Sequence, residues 1–148
     1  MSSNGGAFLL TAVAGVAAAL QASINAALGR RIGTLEAATF QTIVAVIIFV
    51  GLTLAARQTV GGVADALREP AWLWLSGVMG VIIITSLTFA PNRIGVLAFA
   101  AILIAGQLIT SIFIDHYGLF GLERIVFTWE RALGLALLAG GAFLVLRR

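Results

Sequence analysis

Residues 94–114 read IGVLAFAAILIAGQLITSIFI, a run without one charged side chain. At roughly 1.5 Å of rise per residue, such a helix just crosses a hydrocarbon core of about 30 Å. Four more runs share its length and character, at about 7–28, 35–56, 71–90 and 131–146. Together they predict an all-α, polytopic membrane protein, a single five-helix transmembrane domain over 1–148. At about 20 residues apiece, five spans consume most of the chain.

Composition supports the same solvent. Hydrophobic residues make up 61 % of the 148 and charged residues 10 %, and the mean hydropathy is +1.10. A soluble domain carries roughly 25 % charged residues, because water must wet its surface. Folded in water, this chain would expose large apolar patches and aggregate. That excludes a soluble enzyme and a disordered chain. The net charge of +3 comes from nine scattered arginines and six acids, too few and too dispersed to bind nucleic acid. There is no cysteine, and His116 is the lone histidine, so neither thiol chemistry nor a multi-histidine metal site is expected. No cofactor is expected either. The first apolar run has no basic residue ahead of it, so it reads as a retained span rather than a secretory signal.

The gaps carry polar residues and helix breakers. Pro91, Asn92 and Arg93 read as a tight turn joining spans three and four. The stretch 57–70 is weakly amphipathic and suits the interface. The stretch 115–130 holds His116, Tyr117, Phe120, Phe127 and Trp129, the aromatic content of a headgroup layer. Orientation normally follows an excess of basic residues in cytoplasmic loops. Here Arg57, Arg68, Arg124 and Arg131 fall on one side, and Arg30, Arg31, Arg93, Arg147 and Arg148 on the other. Four against five leaves insertion poised. Two readings follow: an unseen partner chain of opposite orientation sets the topology, or the chain inserts both ways and forms an antiparallel homodimer. Five helices are few for a gated path, whereas two inverted copies give ten, the inverted-repeat arrangement of many transporters.

Polar groups inside spans are costly and face a partner or a cavity. Gln21 and Asn25 are four residues apart in span one, on one face with Ala14 and Ala18. Val13, Val16, Leu20, Ile24 and Leu28 form a bulky face toward lipid. Span two carries Thr34, Ala38, Gln41 and Ala45 on a similar face, with Glu36 in its first turn, where the helix dipole favours an acid. Span four carries Gln107, Thr110 and Ser111 and ends on Asp115 and His116. Asp115 opposes the dipole there and needs a cation, which Arg124 or Arg131 could supply within the chain, or Arg30, Arg31 or Arg93 of a second, antiparallel copy. Span five has Ala136 and Gly140 at the spacing of close helix packing. The amides are either interhelical glue or the lining of a cavity. As ligands they suit an uncharged polar or zwitterionic solute better than a bare cation.

The run Gly106-Gln107-Leu108-Ile109-Thr110-Ser111 leading into Ile114-Asp115-His116-Tyr117-Gly118-Leu119-Phe120-Gly121, with Gln21-Ala22-Ser23-Ile24-Asn25 in span one, resembles the YdcZ-type family of the EamA-like drug/metabolite transporter superfamily. The resemblance covers nearly the whole chain. It implies an exporter of a small metabolite or drug-like solute in the bacterial inner (plasma) membrane. Its partner would be itself, as an antiparallel homodimer, or a paralogous chain of opposite orientation. Small multidrug resistance proteins of that superfamily use a buried glutamate in helix one; this chain has Gln21 and Asn25 there and no acid. The expected solute contacts are therefore Gln21, Asn25, Gln41, Gln107 and Ser111. Coupling or gating falls to Asp115, Glu36 and His116. The competing reading is a structural or accessory membrane protein that only packs helices. An intramembrane enzyme would need a deep nucleophile–base pair or metal set, and no deep His, Asp, Lys or Cys is present.

Overall fold

The computed structural model describes residues 5–57 and 59–147. Arg148, counted above for orientation, lies outside the described residues, as does the segment 1–4. Five helices are long and apolar enough to cross a membrane. Among the described residues they are α1 (Gly5–Ile32), α2 (Thr34–Arg57), the span Ala71–Ile94 with α3 (Leu75–Phe89) as its main helix, α4 (Val96–Tyr117) and α5 (Trp129–Leu146). No strand occurs among the described residues. Helices satisfy their backbone groups internally, as hydrocarbon requires. The chain forms two compact units, 1–93 and 94–148.

In the first unit α1 and α2 are separated by Gly33 alone. Arg30 and Arg31 do not break the helix as a polar gap; they form its last turn, where cations suit the dipole. The break falls at Gly33, whose φ of 104° disfavours any side chain. Its N–H still donates to the Gly29 carbonyl at 3.0 Å. α1, α2 and α3 pack through small side chains: Ala22 and Ala26, Ala37 and Ala38, and Thr88 are all buried. Small residues allow helices to approach closely where lipid offers no hydrophobic drive. At Gly29 the approach leaves no room for a side chain, since a Cβ there would lie 2.9 Å from Thr88 Cγ2.

Pro91 does not end the third span. It opens a further helical turn, Pro91–Ile94, so that the span runs over Ala71–Ile94. Proline is accommodated in a first helical turn because its missing N–H would have no partner there. The interruption comes instead at Gly95, with φ 83°. Asn92 ties this turn to α1: its Nδ2 donates to the Ala26 carbonyl at 2.9 Å, and its Oδ1 accepts from Arg30 Nη1. Between α2 and α3 lie the short helix Gly61–Asp65 and a 3-10 turn, Ala66–Arg68, followed by a second 3-10 turn, Ala71–Trp74. Trp74 Nε1 donates back to the Ala66 carbonyl at 3.1 Å.

The second unit is α4 packed on α5. α4 runs to Tyr117, so Asp115 and His116 belong to its last turn rather than to a loop. Gly118 closes the helix in the left-handed conformation, φ 59°. The chain then returns along the helix end. Ile125 N–H donates to the Asp115 carbonyl at 2.9 Å, and Arg124 Nε donates to the His116 carbonyl at 2.9 Å. Two carbonyls that a helix end leaves without intrahelical donors are thereby satisfied.

Candidate functional site

In the first unit the amides divide by depth. Asn25 is 5 % exposed, on the buried stripe of α1 with Ala22 and Ala26. Among the described residues its Nδ2 has no hydrogen-bond partner. Gln41 is half-buried on the inward face of α2 with Thr34, Ala38 and Ala45, and its Oε1 is buried without a partner. Asn25 lies eight residues before Gly33 and Gln41 eight after it. Each is therefore about 12 Å along its helix from the joint. An unpaired buried polar group costs about 1–3 kcal/mol, and among the described residues of this unit one side-chain donor and one side-chain acceptor are in that state. Gln21 shares Asn25's face by spacing but is exposed, because burial of α1 begins at Ala22 and runs toward Gly33. Glu36 is exposed in the first turn of α2, beside Gly33.

In the second unit Gln107 and Ser111 are exposed, and the Ser111 hydroxyl donates to the Gln107 carbonyl at 2.8 Å. Of the two cations the chain itself offers to Asp115, Arg131 takes the role: Nη1 lies 3.5 Å from Oδ2. Arg124 goes to the neighbouring carbonyl instead. His116 is half-buried, its ring edge-on to Tyr117 and its Nδ1 buried without a partner. Ser111, Asp115 and Arg131 share a cavity of about 250 Å³ with Ile125 and Phe127. Asn92 and Phe127 were not among the expected site residues. A side chain that reaches a carbonyl 66 positions away leaves no periodic trace in sequence. Among the described residues no group of three His, Cys, Asp or Glu stands where it could hold a metal ion.

A family model described as "Putative inner membrane exporter, YdcZ" matches residues 6–144. The chain belongs to this family. With five spanning helices, this YdcZ-family member is a multi-pass inner-membrane protein. Family membership points to export rather than catalysis. No curated protein and no solved structure gives a significant match.

Proposed function

We propose that this YdcZ-family chain is a secondary transporter that exports a small polar metabolite or drug-like solute. It works by alternating access, as an antiparallel pair of copies or with a paralogous chain of opposite orientation. The observation that carries this reading is the exposure of Gln21 and Gln107, each near the middle of its span. A polar side chain against hydrocarbon is costly. The cost disappears where a second copy covers those faces and encloses them with solute and water. Five spans place the two ends of a copy on opposite sides, so an inverted second copy completes a ten-helix repeat. Gln21, Asn25, Gln41, Gln107 and Ser111 then contact solute, and coupling falls to Asp115, Glu36 or His116.

Transport of labelled solutes into vesicles holding the purified protein tests this. Gln21→Ala and Asn25→Ala should each cut transport at least ten-fold with dimer content unchanged. If both transport normally while Gly140→Leu abolishes the dimer, the amides only pack helices. Asp115→Asn should flatten the pH dependence of transport; an unchanged profile removes Asp115 from coupling.

A further inference from the structure

A groove of about 650 Å³ runs between α4 and α5, walled by Leu97, Ile104 and Leu108 on one side and by Leu135, Leu138 and Val145 on the other. It offers no charged group along this length. Leu108, Ile112, Leu135 and Leu138 also line the 250 Å³ cavity described above, so the two volumes adjoin. The joined space is apolar for most of its length and charged at one end, where Asp115 and Arg131 stand side by side. Their side chains are 37 % and 45 % exposed, and their separation of 3.5 Å is long for an ion pair. Such a half-exposed pair is worth little, and both partners remain free to meet another charge.

The charged end also stands at a defined depth. Asp115 is in the last turn of α4 and Arg131 in the first turn of α5, with Phe127 lining the same cavity and Tyr117 and Trp129 each two residues away along the chain. Aromatic side chains of this kind mark the headgroup layer. From Asp115 back to Ile104 is eleven residues of helix, roughly 16 Å. That matches one leaflet, half of a core about 30 Å thick. The stretch of groove from the pair down to Ile104 therefore lies in one leaflet, along the path of an acyl chain, and the groove continues past it to Leu97.

The geometry points to a phospholipid site on this hairpin, selective for a zwitterionic headgroup with a primary ammonium. The acyl chain fills the half of the groove nearest the pair. The phosphate is held by the Arg131 guanidinium, whose fork matches phosphate oxygens, and the ammonium donates to the Asp115 carboxylate. An anionic glycerol headgroup meets Arg131 equally well but is repelled by Asp115. A quaternary choline matches the charge yet has no N–H to donate.

Native mass spectrometry of the full chain in detergent, with added phosphatidylethanolamine, phosphatidylcholine or phosphatidylglycerol, tests the site. Phosphatidylethanolamine adducts should exceed the other two at least five-fold. Arg131→Gln should lower them at least five-fold. Asp115→Asn should reverse the preference toward phosphatidylglycerol, a change that mere unfolding does not produce. Leu138→Trp, which fills the groove, should reduce all adducts while helix content by circular dichroism stays unchanged. Equal binding of the three lipids by the unmodified chain overturns the proposal, as does a phosphatidylethanolamine level insensitive to Arg131→Gln. If Leu138→Trp instead converts dimers to monomers without touching lipid adducts, the groove seats a second copy and the lipid assignment fails.

Discussion

Asn25 is held among alanines with an amide donor that meets no acceptor. For stability alone, leucine would serve better at this position, because an apolar side chain of similar size leaves no polar group unpaired. Asn25→Leu should therefore unfold at equal or higher temperature, with a gain of about 1 kcal/mol, while export falls. A lowered melting temperature with export intact would mean that the amide serves packing. Spacing alone placed Gln21 and Asn25 on one face, and they do share it. The sequence could not show where along that face burial begins, because that depends on how far α2 and α3 reach along α1. The inward face of α2 was more legible: Thr34, Ala38, Gln41 and Ala45 recur at helical spacing, and all four are withdrawn from the surface.

Helix boundaries follow from the same few residue types, and here two sequence rules misplace the joints. Arginines at 30 and 31 look like a polar gap, yet a guanidinium on a long stem reaches the interface from the last helical turn. Proline at 91 looks like a stop, yet it is also a favoured opening residue of a helix. In both places the actual interruption is the next glycine with positive φ, Gly33 and Gly95. Gly118 is the third such joint, and its environment is filled. A Cβ there would lie 3.2 Å from the Leu122 carbonyl oxygen and 3.3 Å from Arg124 Cβ. Gly118→Ala adds that crowding to a left-handed backbone costing roughly 1–2 kcal/mol for an L-residue. It should lower the melting temperature and weaken the return of 122–125 onto the end of α4. Gly121→Ala has the same sign of φ but open space, so its cost should be the smaller of the two. Equal shifts for the two variants would show that crowding at Gly118 contributes nothing.

At the scale of the whole chain, five spans were legible because length and apolarity are summed over about 20 residues, and single errors average out. Assembly was not legible, since an interface in lipid is made of the same small and apolar residues as a lipid-facing surface. Charge is the exception. With arginines four against five across the bilayer, two lysines added to loop 59–70 should drive most copies into one orientation. Cysteines in that loop, labelled from each side in turn, report the distribution. The unmodified chain should label from both sides. Labelling from one side alone would rule out a dual-topology homodimer and leave a partner chain of fixed orientation.

The joint at Gly33 has a consequence for how the protein is made. Only one residue separates α1 from α2, so no tether exists on which the first helix could be threaded and parked while the second is synthesised. The pair has to enter the bilayer as one hairpin, and the choice of which way it faces is taken once for both helices. The same joint offers no slack for an epitope, a protease site or a fused domain. An insertion there would prise apart the buried residues Ala26, Ala37 and Ala38 on either side of the joint, whereas the 59–70 loop can carry one.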